Sequence, residues 1–198
     1  DSHSLLEIRL ETQPGVSPKE LGYGTDDRKL TMRMYESRLI TEALLNVPGG
    51  LDYTLGTTLN YSVDTINYFN LGDGWSGSEA WGVWSVGNEN VMYFGIPDDV
   101  TGDLVMNMKL MSFHKPRDLE IYINGTKLTT LCVDVDPNIY SIVIPSEYYR
   151  SDVKYSEKSN LMVMKFSQTA DIAPVDLNTK TTDTRKLGVG LYELVIGN

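Results

Sequence analysis

The chain contains one cysteine, two histidines, few lysines and arginines for its size, and no long apolar run. Each shortage removes a class of explanation. A single cysteine, Cys132, forbids an internal disulfide, and only His3 and His114 are present to activate it as a nucleophile. Cys132 lies in the run Leu128-Thr129-Thr130-Leu131-Cys132-Val133 and reads as a small buried hydrophobe. Two histidines do not make a zinc site, so no metal and no cofactor is expected. Lys and Arg total 17 against 27 Asp and Glu, a net charge of −10. That balance lacks the basic surface that nucleic acids and anionic bilayers require. A membrane span needs about 20 consecutive apolar residues, and none of that length occurs, so no insertion by this segment is expected. No Gly-x-Ser-x-Gly elbow, P-loop or dinucleotide fingerprint appears. The chain opens at Asp1 without a leader or initiator Met, which gives the expectation of an excised or processed piece whose anchor lies elsewhere.

What is present is period-2 alternation. Leu104, Met106, Met108 and Leu110 share one face of a strand, as do Leu119, Ile121 and Ile123. Leu161, Val163 and Lys165 oppose Met162, Met164 and Phe166. In the last strand Val189, Leu191, Glu193 and Val195 oppose Tyr192, Leu194 and Ile196, which predicts cover on both faces. Ile121-Tyr122-Ile123-Asn124-Gly125-Thr126-Lys127-Leu128 predicts a hairpin with a type I′ turn, since Asn-Gly suits two successive positive φ angles. Helical pattern is limited to single turns after Ser17, Ala173 and around Ser146–Arg150. The predicted fold class is all-β: a β-sandwich, jelly-roll-like, with a few short helical turns.

Residues 4–40 and 160–196 repeat one another. Both run strand, x-Pro turn, Leu, polar loop, Asp-x-Arg-Lys-Leu, strand, with one extra residue in the second loop. Pro18 matches Pro174, Arg28-Lys29-Leu30 matches Arg185-Lys186-Leu187, and Tyr35-Glu36 matches Tyr192-Glu193. The expected organisation is residues 1–45 as trailing strands of a preceding repeat, docked on the main domain or paired with another chain, and residues 46–198 as a complete sandwich. Pro48-Gly49-Gly50 marks the junction. The repeated Asp26/Arg28 and Asp183/Arg185 pairs read as local salt bridges that stabilise loops.

All three tryptophans fall within Trp75–Trp84, in a glycine-rich stretch from Gly72 to Ser85. Indole rings on such a loop form a platform for the C–H faces of sugars, with polar side chains taking the hydroxyls. The candidate glycan-binding residues are therefore Trp75, Trp81, Asp73, Glu79 and Asn88. The competing reading places these rings in the core, with glycines shaping turns, and Trp84, in the alternating run Ala80-Gly82-Trp84, is read as core. Paired carboxylates occur at Asp73/Glu79, Asp98/Asp99 and Asp134/Asp136. A hydrolase needs two carboxyls facing across a cleft. Spacing does not supply that, and no catalytic residue is assigned. Asp134-Val135-Asp136-Pro137-Asn138 lacks the glycine and terminal Glu of a calcium loop and reads as a polar turn. His114-Lys115-Pro116-Arg117 reads as a solvated basic turn, and Asn124 as a turn residue rather than a glycosylation acceptor.

The residues Gly74, Trp75, Ser76, Glu79, Gly82 and Trp84, followed by the INGTKL hairpin, resemble a bacterial β-sandwich module. The closing pattern at Ala173, Pro174, Asp183, Arg185, Leu187 and Gly188 extends the resemblance from about residue 51 to the end. Such modules stand at the C-terminal end of membrane-bound, sulfatase-like phosphoglycerol transferases, and similar ones occur in large membrane glycosyltransferases. The first copy departs from the pattern, with Thr31 where the second has Gly188. The resemblance implies a non-catalytic, extracytoplasmic accessory module, tethered through the rest of its parent polypeptide, with cell-envelope glycan as its partner. The catalytic part of that family is absent from this sequence. Open alternatives are a purely structural or protein-interaction sandwich and a glycan hydrolase.

Overall fold

The computed structural model describes Ser17 and residues 52–63, 70–178 and 180–198. The chain divides into two units, Asp1–Leu39 and Ile40–Asn198. Apart from Ser17, every described residue belongs to the second. The expectations for 1–45, including the docked trailing strands, the Asp26/Arg28 pair and the turn after Ser17, lie outside the described residues.

Two antiparallel sheets face each other. One contains β1 (Thr58–Asn60), β2 (Val83–Val86), β4 (Leu104–Ser112), β7 (Asn138–Ile144) and β10 (Leu187–Gly197). In it β10 lies between β4 and the short β1 and β2, which share its other side, and β4 carries β7 on its far side. The second sheet contains β3 (Glu89–Pro97), β5 (Arg117–Ile123), β6 (Thr126–Val133), β8 (Lys154–Ser156) and β9 (Ser159–Ser167). Here β9 pairs with β3 on one side and with β5 and β8 on the other, and β6 follows β5. From β2 onward the chain repeatedly crosses between the sheets, as a jelly roll does. Two single-turn helices, α1 (Ser146–Tyr149) and α2 (Pro174–Leu177), fall at two of the expected turns.

The alternating residues build the core. Leu104, Met106, Met108 and Leu110 meet Leu119, Ile121, Ile123, Met162, Met164 and Phe166 in one buried cluster. Each such side chain contributes about 1.5–3 kcal/mol by leaving water, which is why the two faces hold register. The Asn-Gly hairpin forms as the sequence predicts, with φ of 48° at Asn124 and 82° at Gly125. Asn124 is also pinned from both ends of its amide: Nδ2 donates to Tyr148 O at 2.9 Å, and Oδ1 accepts from Val163 N at 2.9 Å.

Three expectations change. β10 does not alternate throughout, because Leu191 pairs with Leu110 while Glu193 pairs with Lys109, leaving Tyr192 as an extra residue. That bulge inverts the parity. Leu187, Val189 and Leu191 are buried before it, and Leu194 and Ile196 after it. Cys132 is exposed rather than buried. It lies on β6, the last strand of its sheet, opposite exposed Asp118, while its neighbour Val133 takes the inward position. The basic turn is not fully solvated. Arg117 is buried and donates to Ser112 Oγ, Thr169 O and Phe113 O at 2.8, 2.6 and 3.0 Å.

Candidate functional site

The tryptophan segment is one stretch of sequence but two places in the fold. Residues 74–76 run beside β2. Trp75 bridges to Ser85, Val86 N donates to Gly74 O at 2.7 Å, and Ser76 N donates to Trp84 O at 2.8 Å. Trp75 thereby turns toward the core. Its Nε1 donates to Val91 O at 2.9 Å and its ring meets Phe166 edge-on at 5.7 Å. Its remaining surface lines an open groove of about 460 Å³, shared with Val63, Leu71 and residues 76–78.

Trp81 and Trp84 lie on the opposite, outer face of the β10 sheet. Alternation in β2 buries Val83 and Ser85 and leaves Trp84 half-buried, so the reading of Trp84 as a core residue is corrected. The approach to β2 is fixed by Glu79 N donating to Gly82 O at 2.7 Å and Val63 N donating to Glu79 O at 2.8 Å. Gly82 lies so close to β10 that an added Cβ would meet Leu191 O at 2.3 Å. This contact lays the Trp81 indole across Gly190 and against Tyr192, with ring centroids 4.6 Å apart and planes at 45°. Trp84 meets Trp81 edge-on at 5.0 Å and Phe113 at 5.5 Å. The β10 bulge is what turns Tyr192 outward into this group.

Polar groups ring the aromatic cluster. Trp81 Nε1 donates to Glu79 Oε2 at 3.2 Å, and Glu79 Oε1 lies 3.8 Å from Arg185 Nη2. Arg185 also grips Asp183 through Nε–Oδ1 at 2.9 Å and Nη2–Oδ2 at 2.6 Å. The paired guanidinium holds the Asp183 carboxyl down to about 2 and raises Arg185 in turn. Lys109 Nζ stands 5.1 Å from the Tyr192 ring centroid. Partial desolvation raises the Tyr192 hydroxyl, which donates to Met111 Sδ at 3.2 Å. The Asp183/Arg185 pair is the local salt bridge expected from the sequence, but Arg185 also reaches Glu79.

Of the five candidate residues, the structure brings Glu79 and Trp81 into direct contact. Trp75 belongs to the groove on the other side of its strand. Asp73 is exposed near Tyr93, whose hydroxyl is raised by burial and then by that carboxylate. Asn88 is a loop pin: its Oδ1 accepts from Ala170 N at 3.0 Å and its backbone carbonyl from Gln168 N at 2.9 Å. The residues that sequence reasoning missed at this site are Tyr192, Lys109 and Phe113. Among the described residues no three metal-ligating side chains come together.

No protein-family model and no curated protein matches the chain. Solved structures overlap it in part. The CBM36-1 domain of a multidomain xylanase from the hindgut metagenome of Trinervitermes trinervoides is 15% identical, with 59% of this chain and 77% of that one covered and a TM-score of 0.39. The C-terminal CBM6 of LamC, a marine laminarinase from Zobellia galactanivorans, is 13% identical, covering 72% and 100%, with a TM-score of 0.40. The acetyl xylan esterase Est2A from Butyrivibrio proteoclasticus is 11% identical, covering 72% and 32%, also at 0.40. Likeness at these levels says nothing of what this chain binds.

Proposed function

We propose that this chain is a non-catalytic carbohydrate-binding module whose site is the Trp81–Tyr192 ring pair. The observation that carries this reading is a half-buried pair of rings, 4.6 Å apart, on the outer face of a sheet. A sugar places its C–H face on such rings and its hydroxyls against hydrogen-bonding groups at their edge. Glu79 offers carboxylate lone pairs beyond those facing Trp81 and Arg185. Arg185 engages Asp183 through Nε and Nη2, so Nη1 faces no carboxylate among the described residues. The acidic balance of the chain suits a neutral glycan better than an anionic one. The resemblance of residues 51 onward to the phosphoglycerol-transferase module supports an extracytoplasmic setting beside cell-envelope glycan, tethered through a membrane-bound parent.

A second reading is a purely structural or interaction role. It is favoured by the way Trp81, Trp84, Tyr192 and Phe113 pack on one another as a small outer core. A hydrolase has less support, because Glu79, which touches Trp81, and Asp183 both face Arg185.

Calorimetric titration with neutral glucan oligosaccharides separates the first two readings. Saturable binding that Trp81→Ala abolishes, with the fold intact by circular dichroism, supports the module reading. No binding of any neutral glycan at millimolar concentration, together with a merely destabilised Trp81→Ala, overturns it in favour of the structural one.

A further inference from the structure

We propose that strand β7 is a self-pairing edge that joins two copies of this chain through a two-fold axis at Ser141. β7 is seven residues long and its backbone ladder pairs only with β4 among the described residues. Proteins guard such edges with charged side chains, prolines inside the strand, bulges or short strand length. β7 has none of these. Its sequence Asn138-Ile139-Tyr140-Ser141-Ile142-Val143-Ile144 is uncharged, and its register against β4 is unbroken. The other long terminal strands differ: β6 carries Lys127 and a bulge at Leu128, and β3 is flanked by bridges from Asp52 and Leu71. β1 and β2 have three and four residues.

The occupant follows from the symmetry of the strand. Ile139 and Val143 are 70% and 56% exposed, and they stand two positions either side of Ser141. An antiparallel copy centred on Ser141 places Ile139 opposite the second copy's Val143, and the reverse, as two aliphatic cross-strand pairs on one face. Pro137 and Pro145 stand four positions either side of the same residue. Proline has no N–H to donate, so the pairable edge ends at both prolines and the ladder closes without overhang.

The pairing has a geometric consequence, which rests on the carbohydrate-binding reading above. A two-fold between antiparallel strands stands perpendicular to the sheet, so both outer faces look the same way. Counting strand spacings and the offset along them places the two Trp81 sites roughly 35 Å apart on one surface. One long glycan could then engage both sites, and the second contact would form at high effective concentration.

The test uses the full 198-residue chain and needs no ligand. Sedimentation velocity over micromolar to sub-millimolar concentration is expected to show a monomer–dimer equilibrium. Ile139→Lys with Val143→Lys is expected to weaken it by about tenfold or more, with an unchanged urea midpoint because both side chains are exposed. In a Cys132→Ser background, Ser141→Cys is expected to form a disulfide-linked dimer on mild oxidation. Ile139→Cys alone is expected not to, and a mixture of Ile139→Cys and Val143→Cys chains is. A chain that stays monomeric throughout overturns the proposal. So does a dimer that survives the double lysine variant, or one in which Ile139→Cys self-links as readily as Ser141→Cys. None of these outcomes depends on glycan binding, so the pairing and the carbohydrate site fail independently.

Discussion

The Trp81 indole rests on the bare backbone of Gly190, where an added Cβ would lie 2.7 Å from its Cη2 atom. Glycine at that point in β10 is therefore a seat for the ring. Gly190→Val is expected to lift Trp81 off Tyr192, shift the intrinsic tryptophan emission and weaken glucan binding by about tenfold. Titration with the wild-type ligand checks this. Unchanged emission and affinity would show that the ring does not depend on its seat.

Two of the three half-buried tryptophans, Trp75 and Trp81, separate by energetics. Trp75 plugs the core edge against Phe166 and hydrogen-bonds Val91 O. Its replacement by Ala is expected to cost about 3 kcal/mol in urea unfolding. Trp81 rests on the outer face, and Trp81→Ala is expected to cost about 1–2 kcal/mol while removing glycan binding. Equal losses of stability would contradict the division into groove and platform.

Much of the sandwich is legible in the sequence because its inward residues alternate without interruption from Leu104 to Leu110 and from Leu119 to Ile123. The Asn124-Gly125 turn is legible for a local reason, the positive φ it requires. The site is less legible. Periodicity treats a strand as uniform, so the extra residue at Tyr192, which decides which ring joins Trp81, leaves no trace in the pattern. Trp75 and Trp84 are near in sequence but on opposite sides of the sheet, since residues 74–76 fold back beside β2. Cys132 shows a related limit: in Leu131-Cys132-Val133 every residue is apolar, so the run does not encode which of them faces out.

Asp183 should make the fold sensitive to acid. Its carboxyl falls from 3.8 to about 2, first through the side-chain hydrogen bond from Arg185. A depressed folded-state value means the ionised form stabilises the fold above the unfolded value of 3.8, and that contribution is lost as pH falls toward 2. The difference in stability between wild type and Asp183→Asn is expected to be constant at neutral pH and to shrink steadily across that interval. Urea midpoints measured from pH 6 to pH 2 check it. A difference undiminished at pH 2 would rule out the carboxylate as its source.

A second glycine has a steric duty inside the sandwich. A Cβ at Gly188 would lie 2.0 Å from Gln168 Nε2 and 2.5 Å from Ser85 Oγ. Gln168 Nε2 in turn donates to Ser85 Oγ at 2.5 Å and Asn90 Oδ1 at 3.1 Å, joining β2, β3 and the end of β9. Gly188→Ala is expected to cost about 2 kcal/mol, and adding Gln168→Ala is expected to recover part of it. A double mutant that loses the sum of both single effects would show that the clash is not the cause.

That contact also fixes an order of change at this corner. With Gln168 in place, no side chain fits at position 188 without displacing the amide that holds Ser85 and Asn90. Position 168 has to shorten before position 188 can lengthen, so of the two routes to a larger residue there, one is sterically open and the other is closed.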